Sequence, residues 1–95
     1  MVETTHMTNI ELIDTINEIK EKYHDGGLII LFLREVQSLN DDIMTYVSDE
    51  LYQKFKTELR CVYYESLYGD GEYTQYVIND CINILDLIIE TLIKN

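Results

Sequence analysis

The chain contains no proline and only four glycines among its 95 residues. A many-stranded β fold needs many tight turns, which glycine and proline normally supply. Without proline, the strongest helix breaker is also missing. Both shortages favour an all-α fold. With 46% apolar residues, the composition is that of a globular protein. We therefore expect one helical domain over residues 1–95, with a thin core.

Cysteine and histidine are scarce as well, each occurring twice: Cys61, Cys81, His6 and His24. The cysteines lack the close spacing of a metal-binding pair, and no histidine accompanies them. No serine or cysteine stands in a recognisable arrangement with a base, as nucleophilic catalysis requires. The sequence therefore predicts no enzyme activity, no metal and no cofactor. By default we place both cysteines in the core, where a thiol behaves as a small apolar group.

Long apolar runs are absent. The longest covers residues 28–33, which is much too short to span a bilayer. The first seven residues carry neither the basic nor the apolar part of a signal peptide, and we expect them to form a frayed lead-in. These features predict a cytoplasmic protein with no membrane partner.

Positive charge is the last shortage. Seven Lys and Arg face eighteen Asp and Glu, giving a formal net charge of −11. Such a surface repels the phosphates of nucleic acids and of anionic lipids, so direct nucleic-acid binding is disfavoured. A basic protein surface is the natural partner. The alternative is that the charge serves only to keep the protein soluble.

Apolar residues recur at intervals of three and four, which predicts amphipathic helices. The first begins at a capping box formed by Thr8 and Glu11 and ends at the Gly26-Gly27 turn. Its apolar positions are Ile10, Ile13, Ile16, Ile19 and Tyr23.

Residues 28–33 are ambiguous, because six apolar residues in a row fit a buried strand or a buried helix. A lone strand has no partner here, and Leu28, Phe32, Val36 and Leu39 continue at helical spacing, so we predict a helix. Ser48 is expected to interrupt the next helical segment. The predicted antiparallel bundle has four or five helices, at approximately 8–24, 28–39, 41–47, 48–67 and 72–93.

The last predicted helix is apolar around most of its circumference and needs cover on most sides. Three short neighbours supply this cover in one interpretation, and a second copy of the chain supplies it in another. The alternative function is therefore a homo-oligomeric assembly module, for instance a homodimer. Its candidate interface residues are Ile82, Leu85, Ile88, Ile89 and Leu92.

Tyrosine is what the chain has in abundance, with eight Tyr and only two Phe. Five of the tyrosines fall between residues 63 and 76, around a Gly-Asp-Gly turn. Tyrosine offers a large rigid contact area with a polar tip, which suits binding surfaces. Alternatively, these residues fill half-buried positions beside a helix hairpin. The candidate partner-binding residues are Tyr63, Tyr64, Glu65, Tyr68, Asp70, Glu72, Tyr73 and Tyr76.

A second acidic region lies between residues 35 and 50, where there is no Lys or Arg. We expect it to continue the tyrosine-rich region as one negative face. Carboxylates at fixed spacing can imitate a phosphate backbone and occupy a nucleic-acid-binding cleft. The alternative is acid at helix starts, where the helix dipole favours it. The residues concerned are Glu35, Asp41, Asp42, Asp49 and Glu50.

In size, charge and the grouping of Tyr63-Tyr64 with Glu65 and Asp70, the chain resembles the immunity proteins of nuclease colicins. Those small acidic helical bundles block a basic nuclease through adjacent tyrosines and nearby carboxylates. Here the tyrosine pair lies on a long predicted helix and no proline follows it, which departs from the family pattern. The likeness covers a few residues and is one of design rather than kinship.

These features predict an acidic inhibitor or immunity-type protein, of the kind that phages and mobile elements encode. Its expected partner is a basic protein that handles nucleic acid. A further alternative is a small-ligand pocket between helices, lined by tyrosine and capped by Arg34 or Arg60.

Overall fold

The computed structural model of the chain describes residues 7–94, and these form five α-helices. The all-α prediction is confirmed, and residues 28–33 lead into a helix rather than a strand. Every predicted helix boundary lies within about two residues of the observed one, the usual uncertainty of helix ends. The helices are α1 (Asn9–Tyr23), α2 (Ile29–Gln37), α3 (Asn40–Tyr46), α4 (Asp49–Tyr68) and α5 (Thr74–Lys94).

Side-chain caps fix two of the helix starts. The Thr8 hydroxyl accepts from the Glu11 amide at 3.2 Å, and the Glu11 carboxylate accepts from the Thr8 amide at 3.0 Å. The predicted capping box is therefore present. The hydrogen bond from the Thr8 amide lowers the pKa of Glu11. Ser48 accepts from the Leu51 amide at 3.2 Å and separates α3 from α4, which confirms the predicted interruption.

One core unites the helices, with α4 packed most extensively on α5. Two predicted stripes need correction, because Ile10 is 71% exposed and Leu28 is 65% exposed. The inner face of α1 runs instead through Leu12, with Ile16 and Ile19. Ile10 lies two residues before Leu12, about 200° around the helix, and therefore points outward.

The two cysteines have opposite environments. Cys81 is buried in the core, whereas Cys61 is exposed, so the default assignment of Cys61 to the core was wrong. Cys61 precedes the buried Val62 by one residue, and a step of about 100° turns its side chain outward. Burial raises the pKa of Cys81 to about 12, and the negative charge of Glu58 adds to the shift.

The candidate oligomer interface on α5 is corrected by the packing. Leu85, Ile88 and Leu92 are buried within the single chain, and Ile82 is nearly so. Ile89 is half-buried and packs against the same core. These residues face α4, α1 and α2, which together supply the cover that a strongly apolar helix requires. Leu85, Ile88 and Leu92 therefore belong to the core of one chain, and Ile82 and Ile89 lie at the edge of that core.

Hydrogen bonds define one end of the bundle, where α1 starts and α5 finishes. The side-chain amide of Asn9 donates to the Leu92 carbonyl at 3.2 Å. The Met7 amide donates to Asp42 at 3.0 Å, and the Tyr46 hydroxyl donates to the Met7 carbonyl at 2.6 Å. Met7 is thus fixed against α3, contrary to the expected fraying, and residues 1–6 lie outside the described part of the chain.

The opposite end is where α1 and α4 finish and where α2 and α5 begin. The side-chain amide of Gln75 donates to the backbone carbonyls of Tyr23 and His24 at 3.4 and 3.3 Å. The Thr74 hydroxyl donates to the Glu65 carboxylate at 3.2 Å. We call this the tyrosine end, after the exposed residues Tyr63, Tyr64, Tyr68, Tyr73 and Tyr76. Over residues 7–94, no helix has both the length and the apolar character needed to cross a bilayer.

Candidate functional site

Tyrosines outside the tyrosine end have structural roles. The Tyr23 hydroxyl donates to the Glu35 carboxylate and joins α1 to α2. The Tyr46 hydroxyl holds the Met7 carbonyl, and the Tyr52 hydroxyl donates to the Asn40 side chain at 3.1 Å. Each of these hydroxyls therefore has a partner within the fold.

The five tyrosines of the tyrosine end differ from these in exposure and in hydrogen bonding. Their exposed fractions range from 44% for Tyr63 to 79% for Tyr68. Within the described chain, none of their hydroxyls forms a hydrogen bond to another group. They present apolar rings and unused hydrogen-bonding groups to the surroundings, which is the combination that partner-binding surfaces favour. Tyr63, Tyr64 and Tyr73 are about half-buried, as the alternative of filling residues predicts, whereas Tyr68 and Tyr76 are 79% and 68% exposed.

The rings form two groups, one on each helix of the α4–α5 hairpin. On α4, the Tyr63 and Tyr64 ring centroids lie 5.7 Å apart edge to face, and those of Tyr64 and Tyr68 lie 6.3 Å apart and stacked. On the α5 side, the centroids of Tyr76 and of Tyr73, which directly precedes the helix, lie 6.2 Å apart. Because each group is already packed against itself, its rings lose little further freedom when a partner binds.

The turn between the two groups is held by its own side chains. The Gly69 amide donates to the Glu65 carbonyl at 2.9 Å and closes α4. Asp70 accepts from the Glu72 amide at 3.0 Å. Glu65 and Asp70 therefore help to shape the turn, whereas the exposed Glu72 carboxylate makes no hydrogen bond or ion pair in the described structure. Of the three acids predicted for this surface, Glu72 is therefore the one whose carboxylate does not stabilise the turn.

Exposed leucine and isoleucine accompany the tyrosines, and the sequence reasoning missed them. Leu67 lies one turn from Tyr63 and Tyr64 on the outer side of α4, which its spacing would have revealed. Leu28, Ile30 and Leu31 are exposed at the start of α2. These three belonged to a continuous apolar run, which gives no sign of which members face outward. Most of the exposed large apolar residues of the bundle therefore lie toward one end.

Every charged residue between residues 61 and 93 is acidic. No Lys, Arg or His occurs between residues 61 and 93. The acids of that stretch are Glu65, Asp70, Glu72, Asp80, Asp86 and Glu90. Among the residues that the structure describes, Asp86 is the only one of these acids with a cationic partner, Lys20 of α1. Within residues 61–93, a partner that covers the tyrosines therefore meets carboxylates and no cation, although Lys56 and Arg60 of α4 lie beside Tyr63.

The expected continuous negative face is wrong. Asp41 and Asp42 start α3, and Asp49 and Glu50 start α4, at the end that holds Met7. Since α4 has 20 residues, about 28 Å of helix separates Asp49 from Tyr68. Glu35 lies on α2, and its carboxylate accepts hydrogen bonds from Tyr23 and Lys22. The two acidic regions are therefore separate surfaces.

Two open grooves lie between helices. One, of about 190 Å³, is lined by α2 and α4 through Gln37, Lys56, Leu59, Arg60 and Tyr63. We call it the α2/α4 groove. The other, of about 350 Å³, lies between α1 and α5, and its Lys20 is already paired with Asp86. Arg60, proposed from the sequence as the cap of a ligand pocket, lines the first groove. Lys56 and Gln37 were missed there, because their approach depends on how α2 packs on α4.

Chemistry-bearing side chains do not converge elsewhere. Across residues 7–94, no group of His, Cys, Asp and Glu is arranged to hold a metal ion. His24 is exposed at the end of α1, and its Nδ1 lies 3.1 Å from the Asp25 carboxylate. No family model, no curated protein and no solved structure matches this chain.

Proposed function

We propose that the chain is an acidic protein-binding module, an inhibitor or immunity-type protein, that sequesters a basic partner through the tyrosine end. The observation that carries this proposal is the division of the tyrosines. Those elsewhere in the bundle use their hydroxyls within the fold, whereas those at the tyrosine end leave both ring and hydroxyl exposed. Exposure of so many rings at one end is costly in water and is repaid when a partner covers them.

Charge narrows the choice of partner. The net charge of −11 and the absence of cations between residues 61 and 93 favour a partner with a dense positive surface. Strongly basic surfaces are typical of proteins that bind nucleic acid, because phosphate contacts require Lys and Arg. The proposed partner is therefore a nuclease or another nucleic-acid-handling protein, of the kind that phage and mobile-element inhibitors block.

The structure of the hairpin supports a preformed surface. The turn is fixed by Glu65, Asp70 and Thr74, and the rings are packed in two groups. A preorganised aromatic surface flanked by acid predicts fast, salt-sensitive association with a slow dissociation governed by the rings. Tyr68 and Tyr76 are the expected central contacts because they are the most exposed of the group.

The test is affinity capture from lysate of the source cells, followed by reconstitution with the purified partner. Three proteins are compared: the native chain, a Tyr68→Ala/Glu72→Lys double variant, and an Asp14→Lys/Tyr52→Phe control. The control changes one acid and one tyrosine away from the tyrosine end. A basic protein should be retained by the native chain and by the control, and be lost from the double variant.

The purified partner then decides the matter. Its association rate constant should fall steeply with added salt, and its activity on nucleic acid should be blocked by the native chain. Equal retention by all three proteins would place the binding surface elsewhere. If the captured partner had an acidic surface, the proposed electrostatic attraction to a basic protein would be wrong.

A further inference from the structure

The α2/α4 groove is the cationic surface of this acidic protein. Lys56 and Arg60 lie one turn apart on α4 and both line it. Within residues 7–94 neither forms an ion pair with a carboxylate, and the Lys56 ammonium lies 6.0 Å from the centroid of the Tyr52 ring. In a chain of net charge −11, it is unexpected that two cations without a carboxylate partner converge on one groove.

The remaining lining residues define what fits beside the cations. Leu59 forms an apolar wall and is only 6% exposed, while the Tyr63 ring is partly open to solvent. Gln37 of α2 adds an amide that both donates and accepts. Arg60 offers a planar fork that matches the two oxygens of a carboxylate or phosphate, and Lys56 adds a point charge.

We propose that the α2/α4 groove binds a small oxyanion carried on a single flat ring. The oxyanion lies between Lys56 and Arg60 and accepts from the Gln37 amide. The ring lies against Leu59 and the face of Tyr63. A groove of about 190 Å³ accommodates one ring and its anionic group. This site is distinct from the tyrosine end in its charge and its ligand, and shares with it only Tyr63.

The test is a titration of isotope-labelled protein followed by NMR at low ionic strength. The probes are inorganic phosphate, phenyl phosphate and benzoate, and the variants are Lys56→Gln/Arg60→Gln, Tyr63→Ala and, as control, Lys54→Gln. The Lys54→Gln control loses a charge from the same helix at a position outside the groove. Saturable shifts are expected at the Gln37 side-chain amide and the amides of residues 56–63.

Phenyl phosphate or benzoate should bind at least about tenfold more tightly than inorganic phosphate, because the ring adds apolar contact. The double variant should lose at least about tenfold in affinity, and Lys54→Gln should keep the native value. Tyr63→Ala should lower the affinity for the ring-bearing probes toward the affinity for inorganic phosphate.

Whichever ring-bearing probe binds better identifies the oxyanion as phosphate or carboxylate, and either result supports the site. Shifts that do not saturate, or that are equal in the double variant, would overturn it. Because all variants are read by the same spectra, loss of fold is recognised directly. Replacing Lys56 and Arg60 leaves the exposed carboxylates and Tyr68 untouched, so failure here leaves the proposed inhibitor function standing.

Discussion

The Tyr23 hydroxyl donates a hydrogen bond to the Glu35 carboxylate, which also accepts from Lys22 at 2.9 Å. This contact links the end of α1 to the last turn of α2 across the Gly26-Gly27 turn. The Tyr23 ring lies edge to face with Phe32, with centroids 5.2 Å apart. One residue thus joins a core contact to a charge-assisted hydrogen bond at the edge of the core.

Replacing Tyr23 by Phe should lower the free energy of unfolding by about 1–2 kcal/mol, because it removes a hydrogen bond to a charged acceptor. The ring packing is retained, so the loss reports the hydroxyl alone. Urea denaturation followed by circular dichroism measures it. Tyr68→Phe is the matched control and should leave the midpoint unchanged, since the Tyr68 hydroxyl makes no bond within the described chain. Equal effects of the two variants would contradict the role given to Tyr23.

The same pair predicts a pH dependence at both extremes. The hydrogen bond from Tyr23 and then that from Lys22 lower the pKa of Glu35, so its stabilising effect is present above the ordinary carboxyl pKa and is lost as pH falls. Burial, followed by the hydrogen bond to Glu35, raises the pKa of Tyr23 from 10.0 to about 12. The contribution of Tyr23 is therefore complete below pH 10 and is lost as pH rises toward about 12.

Unfolding free energies measured across pH for the native chain and for Tyr23→Phe check this prediction. The variant should lose less stability between pH 10 and about 12, because the titrating hydroxyl is gone. It should also lose less on acidification, because its Glu35 pKa returns toward the ordinary value. Glu11 contributes to the acid loss in both proteins and cancels in the comparison. Parallel profiles would contradict the coupling.

Two glycines with positive φ should respond differently to alanine. Gly71 has a φ of 95° and open space around it, so Gly71→Ala should cost about 1–2 kcal/mol from backbone strain alone. Gly27 has a φ of 130°, and a Cβ there would lie 2.7 Å from the Tyr23 ring. Gly27→Ala should cost at least about 1 kcal/mol more, because Tyr23 must shift. Thermal unfolding compares the two, and equal losses would show that the Tyr23 ring yields freely.

Leu85 and Leu87 separate the core side of α5 from its outer side. Leu85 is fully buried, and Leu85→Ala should cost about 2–5 kcal/mol through lost contacts and a residual cavity. Leu87 is exposed, and Leu87→Ala should change stability by less than about 0.5 kcal/mol. Denaturant unfolding measures both, with sedimentation to follow the molar mass. A large loss for Leu87→Ala together with a fall in mass would show that α5 is covered by a second copy.

Local signals in the sequence were sufficient to locate the helices. The capping box at Thr8, the break at Ser48 and the two glycine turns act between neighbouring residues, so they can be identified without knowledge of the fold. In α4, the buried residues Phe55, Leu59 and Val62 recur at spacings of four and three, so the sequence pattern alone identifies its inner face. Where apolar residues outnumbered inward positions, as at Ile10 and Leu28, periodicity alone did not select the buried set.

The candidate surface was predicted in part. The spacing of the tyrosines indicated a cluster beside a turn, and all five are exposed there. The exposure of Leu67 could have been predicted from its helical spacing to Tyr63 and Tyr64 but was missed. The contribution of the start of α2 was not visible, because its exposed residues lie in an uninterrupted apolar run. The acids at the starts of α3 and α4 lie at the opposite end of the bundle from the tyrosines, since α4 runs about 28 Å between its two ends.

The sequence by itself determined that this protein is helical, acidic and rich in tyrosine, because helix propensity, capping and charge are properties of short segments. Only the tertiary structure decided which tyrosines are used within the fold and which remain exposed. It also decided that the apolar side of α5 is covered by the chain's own helices and that Lys56 and Arg60 share a groove with Gln37. These outcomes depend on helix packing, in which residues far apart in the chain compete for the same limited interior.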